Sequence, residues 1–291
     1  MPTRAGTGTP ESSALATADI DWQNFAPGEH RVNCPQCGDG KRVKNAGLRV
    51  DSEGAVLHCF KCSYVETYRD KSSNIRRAPT IRPPRPPDQP QYTTLSDWGR
   101  ALWKATVELS GVAVAYLEHR HCVIPPLYGD LRWHPTLKHP SGHVGPGLVA
   151  VVTDFHTNEP LSLHRTWICA TGKADVHPPR MQLANHSLKN GVIKLWPSEE
   201  VGHVLGVAEG IETALSMAWS VQPVWCCLDA GHLEKFPPLP GVSELFIAQD
   251  VDPAGARATA ACAQRWHAAG RLVQISSQPT GDLNDALGVS K

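Results

Sequence analysis

Three kinds of hydrophobic spacing succeed one another along this chain. Near the N-terminus, Gly47-Leu-Arg-Val50 and Ala55-Val-Leu-His58 flank Asp51-Ser-Glu-Gly54, which predicts a β-hairpin. Helical spacing then places Trp98, Leu102, Ala105 and Leu109 on one face, with Ser96 or Asp97 as N-cap. A second short helix is predicted over Val112 to His119. Gly147 to Thr153 and Leu161 to Trp167 predict a hairpin around Asp154 to Pro160, followed by a strand over Val192 to Trp196. Beyond residue 200, unbroken apolar runs alternate with helical stretches. The runs are His203 to Ala208, Val224 to Leu228, Glu244 to Gln249 and Leu272 to Ile275. Such runs are strands of a parallel sheet buried on both faces. Helices are expected over Ile211 to Trp219 and Pro253 to Ala269, with Pro253 in the first turn and Gly270 as the stop, and a last short helix opens at Asp282. This alternation calls for a doubly wound sheet.

Composition adds boundaries to this pattern. The chain has 291 residues, room for about two ordinary domains and a small third. Residues 1–20, rich in Ala, Thr, Ser and Gly without an apolar core, are expected to be a disordered leader rather than a secretion signal. Residues 21–70 form a ribbon-like unit, and residues 71–94 a tether dominated by Arg76-Arg77-Ala-Pro-Thr-Ile-Arg-Pro-Pro-Arg-Pro-Pro87. Residues 95–200 make an α+β unit and residues 201–291 the parallel α/β unit, so the fold class is α/β and α+β multidomain with a small N-terminal β domain. No stretch approaches the roughly 18–20 apolar residues of a membrane span. A cytoplasmic protein is expected. Net charge is zero, but the last unit carries 5 Lys/Arg against 9 Asp/Glu while residues 1–95 carry 13 against 10.

Nine cysteines without a secretion signal point to ligands or thiols rather than disulfides. Cys34-Pro-Gln-Cys37 and Cys59-Phe-Lys-Cys62 are two CxxC pairs with 21 residues between them, the spacing of a four-thiolate zinc ribbon. Gly38 and Gly40 permit the tight knuckle. Lys41, Arg42, Lys44, Arg49 and Lys61 favour contact with a phosphate backbone. His58 adjoins the second pair, but four thiolates already fill a tetrahedral site. None of the seven histidines between His119 and His164 has a tight metal spacing.

The strongest chemical signal lies where apolar runs end in acid. One run meets Glu209, and another meets Asp250-Val-Asp252. Ligands of parallel sheets bind just beyond the strand carboxyl ends. Three carboxylates there repel one another unless a cation shares the space, and Mg²⁺ suits an all-oxygen site handling phosphates. Asp250 and Asp252, two apart, are expected to grip one ion, with the helix from Pro253 presenting its dipole to a phosphate. Upstream, Arg165, Lys173, Arg180 and Lys194 are candidate phosphate contacts.

Glu209-Gly-Ile-Glu-Thr-Ala214, Asp250-Val-Asp-Pro-Ala-Gly255 and Gly281-Asp-Leu-Asn-Asp285 resemble the three acidic motifs of the Toprim domain. His164-Arg-Thr-Trp167, Gly172-Lys173 to Arg180 and Gly191-Val-Ile-Lys-Leu195 resemble the region before Toprim in phage and plasmid primases. With the zinc ribbon, the resemblance to DnaG-type primases of mobile elements spans about residues 30 to 288. It implies a DNA-directed RNA polymerase of the primase type that makes short RNA primers on single-stranded DNA from NTPs. Glu209, Asp250 and Asp252 would hold catalytic Mg²⁺ or Mn²⁺, Asp282 and Asp285 would form the outer acidic motif, and Arg165 and Lys173 would contact nucleotide. Cys34, Cys37, Cys59 and Cys62 would hold structural Zn²⁺, and a separate replicative helicase would be the partner. Thr213 stands where replicative primases commonly carry an acid, and Asn284 where some carry Asp. Two alternatives use the same features: a Toprim nuclease, and a non-enzymatic recombination mediator. A type IA topoisomerase needs a nucleophilic tyrosine, and the last one here is Tyr128.

Overall fold

The computed structural model describes residues 20–37, 44–52, 54–60, 62, 64–69 and 92–277. The chain divides into two compact units, Met1–Thr80 and Ile81–Lys291. The expected leader, the Pro/Arg-rich tether from residue 71 to 91 and the last acidic motif with Asp282 and Asp285 lie outside the described residues. So do Gly38, Gly40, Lys41, Arg42 and Lys61.

The first unit is a four-stranded antiparallel sheet in chain order: β1 (Gly28–Val32), β2 (Ala46–Asp51), β3 (Gly54–Cys59) and β4 (Val65–Arg69). The predicted hairpin is β2–β3, where Asp51 pairs with Gly54 and its Oδ1 accepts from Gly54 N–H at 3.1 Å. Gly54 has φ +155°, backbone that only glycine adopts without strain. Period-two alternation buries Ala46, Leu48 and Val50 of β2 with Ala55, Leu57 and Cys59 of β3. The flanking strands β1 and β4 are short and polar, and their sequences carry no apolar alternation to announce them.

The second unit opens with α1 (Asp97–Lys104) and α2 (Val112–His119). Ser96 caps α1, its Oγ accepting from Gly99 N–H. The helix stops five residues short of the predicted Leu109, because Thr106 turns its hydroxyl onto Trp103 O at 2.6 Å and Val107 bridges to Trp133. An antiparallel sheet follows, built from β5 (Leu131–Lys138), β6 (Val144–Asp154), β7 (Pro160–Cys169), β8 (Gly172–Lys173), β9 (Arg180–Gln182) and β10 (Gly191–Val192). Its order is β10-β6-β7-β8, with β5 added on β6 and β9 on β7. Strand alternation gives the sheet two apolar faces. Val149, Val151, Leu163 and Trp167 pack with Leu95 and Leu102 by α1. Leu148, Ala150, Val152 and Ile168 pack with α2 and the C-terminal part of the chain.

That C-terminal part is a parallel sheet of β11 (Val204–Ala208), β12 (Val224–Cys226), β13 (Glu244–Gln249) and β14 (Leu272–Ser277), in the order β12-β11-β13-β14. It carries α3 (Ile211–Met217), α4 (Ala230–Lys235) and α5 (Pro253–Ala268). All seven residues of α3 are buried, since it contributes Ile211, Ala214 and Leu215 to the core shared with the antiparallel sheet. α4 was not expected; Asp229 caps it through the His232 N–H. Behind the sheet, Trp266 of α5 is fully buried and stacks on Phe236 with centroids 6.0 Å apart. Losing either ring would cost about 3–5 kcal/mol. α5 runs as predicted, with Pro253 in its first turn and Gly270 leaving it at φ +72°. The chain leaves β11 toward β12 and returns across it to β13. This reversal opens a crevice between the carboxyl ends of β11 and β13. No helix among the described residues is long and apolar enough to cross a membrane.

Candidate active site and metal centre

In the first unit the four cysteines converge. Their sulfurs all lie within 4.8 Å of one another, with Cys34 Sγ 3.7 Å from Cys62 Sγ and Cys37 Sγ 3.5 Å from Cys59 Sγ. A tetrahedron of thiolates about 2.3 Å from zinc has edges near 3.8 Å, so the donor set and its spacing fit Zn²⁺. All four are free thiols. Burial first, then the neighbouring sulfurs, push the Cys37 thiol far up, the opposite of what a bound dication would do. Asn45, which the spacing argument missed, ties the knuckles together. Its Oδ1 accepts from Cys34 N–H at 2.7 Å, its Nδ2 donates to Cys37 Sγ at 3.4 Å, and its carbonyl accepts from Phe60 N–H at 2.9 Å. His58 lies edge-on to the Phe60 ring, 5.3 Å between centroids.

In the second unit the strand ends meet as the crevice requires. Glu209 follows β11 and Asp250 follows β13, and they share a cleft of about 230 Å³ with Lys173, Arg180, Glu212 and Asp229. Gly255 marks how closely they approach. A Cβ there would sit 3.0 Å from Glu209 Oε1 and 2.7 Å from the Asp250 carbonyl oxygen. Glu209 Oε1 is buried without a hydrogen-bond partner. Burial, then the charges of Asp250, Asp252 and Asp229, push the Glu209 carboxyl up to about 8. An orphaned buried carboxylate oxygen among like charges fits a hard divalent cation, which would satisfy the lone pairs and relieve the repulsion. Asp252 stands at the start of α5. Its side chain caps α5, with Oδ1 accepting from Gly255 N–H at 2.7 Å, so one of its oxygens is engaged by the backbone.

The cleft also holds a half-buried ion pair. Lys173 Nζ lies 3.4 Å from Glu212 Oε1, and the same oxygen accepts from the Tyr116 hydroxyl at 2.7 Å. Burial opposes ionisation of Glu212, but Lys173, Arg180 and the Tyr116 hydroxyl outweigh it and bring the carboxyl down to about 2. Burial, offset in part by Glu212, holds His164 down to about 4, so this histidine is neutral at physiological pH. Glu212 escaped the sequence reading. It stands one residue before Thr213, and its partner Tyr116 lies 96 positions away.

The four basic residues expected to bind phosphate divide into two groups. Lys173 and Arg180 line the cleft with Glu209 and Asp250. Arg165 does not; it follows the side of β7 that carries Leu163 and Trp167, with its guanidinium 5.4 Å from the Trp167 ring and Nη2 donating to Gln182 O at 3.1 Å. Lys194 lies in a different cavity, bonded to Asn158 and to Ser198 Oγ.

Residues 204–290 match the Toprim domain, and residues 94–195 match a domain of unknown function, DUF7146. The C-terminal part of the chain is a Toprim domain, preceded by a middle domain and by an antiparallel sheet with a four-cysteine cluster. No curated protein matches the chain. Among solved structures, the primase fragment of the bacteriophage T7 primase-helicase is similar, at 16% identity and TM-score 0.37, over 89% of this chain and 93% of that one. The zinc-binding and RNA polymerase domains of Aquifex aeolicus primase are similar at 14% identity and TM-score 0.42, over 90% and 76%.

Proposed function

We propose that the chain is a DNA primase, a nucleotidyltransferase that makes short RNA primers on single-stranded DNA from NTPs in the replication of a phage or other mobile element. The observation that carries this reading is the single cleft in which Glu209 and Asp250 of the Toprim sheet face Lys173 and Arg180 of the middle sheet. Carboxylates on one wall and cations on the other are what phosphoryl transfer asks for. A Mg²⁺ or Mn²⁺ ion held by Glu209, Asp250 and the free oxygen of Asp252 would supply charge neutralisation at the α-phosphate. Lys173 and Arg180 would orient the triphosphate of the incoming nucleotide, so that a primer 3′-OH attacks the α-phosphate and pyrophosphate leaves. Asp282 and Asp285 would form the outer acidic motif. Glu212 would keep Lys173 charged and fixed in place.

The cysteine cluster, loaded with Zn²⁺, would present Lys44 and Arg49 to the template strand. A separate helicase would deliver that strand. Incubating the zinc-loaded protein with single-stranded DNA, labelled NTPs and Mg²⁺ or Mn²⁺ tests the reading. Metal-dependent oligoribonucleotides are expected. Shortened DNA would replace this reading with a nuclease, and DNA binding without either product would replace it with a mediator.

A further inference from the structure

A cavity of about 530 Å³ in the second unit shares no residue with the metal cleft. One wall is a face of α1, where Arg100, Trp103 and Lys104 fall at helical spacing. Facing them are Tyr128, Lys194 and Ser198. Arg100 and Lys104 are exposed, and neither forms an ion pair among the described residues. Lys194 is only 5% exposed, an uncommon place for an ammonium. It donates to Asn158 and to Ser198 Oγ, packs 4.9 Å from the Trp225 ring centroid, and has one donor more than those two partners use. Trp103 is held by the Arg132 guanidinium, 4.8 Å from its centroid, while Tyr128 is 70% exposed. The cavity also contains two acids. Asp130 is turned inward, accepting from Thr153 Oγ1 at 3.0 Å, and Glu199 is exposed.

Three cations and two rings around a space of this size match a phosphate attached to a planar base, since ligand pockets span roughly 300–1,000 Å³. We propose that this cavity is a second nucleotide-binding site, in which Arg100, Lys104 and Lys194 take phosphate and Trp103 and Tyr128 take the base. The nucleotide is either free or one unit of a single strand. The site needs no metal, so it stands or falls separately from primer synthesis.

Fluorescent ATP and a labelled short oligothymidylate are titrated into the zinc-loaded full-length protein without added Mg²⁺ or Mn²⁺. The double variant Arg100→Glu/Lys104→Glu changes exposed side chains that do not line the carboxylate cleft, and Lys138→Glu/Lys235→Glu carries the same charge change elsewhere. The α1 variant should weaken one of the two ligands at least about tenfold while the control pair leaves it within about twofold. Loss of ATP alone identifies a mononucleotide site, and loss of the oligonucleotide alone identifies part of a strand path. An 8-azido-ATP photoadduct on Tyr128 or the α1 peptide is expected in the first case. Wild-type protein that binds neither ligand, a variant that binds both normally, or a control pair that falls equally would overturn the proposal.

Discussion

Lys173→Met removes the cation 3.4 Å from Glu212 and keeps most of the side-chain volume. Glu212 is 8% exposed at its side chain, yet its carboxyl falls from an ordinary 4.5 to about 2, because Lys173, Arg180 and Tyr116 outweigh the burial. That fall corresponds to about 3 kcal/mol of stability at neutral pH, at roughly 1.4 kcal/mol per pH unit. Lys173 supplies the first share of the favourable part, but its own side chain is 30% exposed. Solvent screening therefore reduces its loss to about 1–2 kcal/mol. A depressed carboxyl stabilises the fold above its unfolded value of 4.5 and loses that contribution as pH falls toward 2. The variant should consequently be weakest relative to wild type near neutrality and should approach it at about pH 3. Urea unfolding of the zinc-free chain, in which the transition of the second unit is followed by far-UV circular dichroism at both pH values, measures the difference. Lys173→Met/Glu212→Gln should recover much of the loss, giving a coupling energy of about 1 kcal/mol in the double-mutant cycle. Equal stability of Lys173→Met and wild type near neutral pH, or a coupling of zero, would refute the assignment of Lys173 as the counter-ion of Glu212.

Other parts of the structure make separate commitments. Asn45→Ala should weaken zinc binding by roughly 10–100-fold in a competition titration with a chromophoric chelator, because the side chain holds both Cys34 N–H and Cys37 Sγ of the first knuckle. Stripping zinc should abolish the dichroism and protection of the first unit while the second unit keeps its own unfolding transition, since the two are separately compact. Gly255→Ala should lower metal-dependent product formation at least about tenfold, by displacing Glu209 Oε1 and Asp250, with little change in far-UV dichroism.

Much of this was legible in the sequence, and the remainder shows what a linear reading lacks. The parallel strands were found because burial on both faces writes them as unbroken apolar runs, and α5 because its proline and the following glycine mark both ends. β5 was missed because Leu131-Arg-Trp-His-Pro-Thr-Leu-Lys138 carries a proline and a register shift between His134 and Leu137. β1 and β4 were missed because edge strands of a small sheet need little apolar surface. β7 itself was foreseen, and alternation separates His164 from Arg165, but only the packing shows which side looks toward Glu212. The same holds for Asp250 and Asp252, where spacing allowed a shared ion but the start of α5 engages one Asp252 oxygen. Glu212 and Asn45 have no local signature at all, since their roles come from partners distant in sequence.

In the proposed function, Glu209 and Asp250 form the metal-dependent centre of nucleotidyl transfer. The initial rate of oligoribonucleotide formation on single-stranded DNA, compared between wild type and Asp250→Asn at matched far-UV dichroism, tests it most directly. Metal-dependent products are expected from wild type, with a rate at least about a hundredfold lower in the variant. An unchanged rate in Asp250→Asn, or no nucleotide incorporation by wild type in either Mg²⁺ or Mn²⁺, would contradict it.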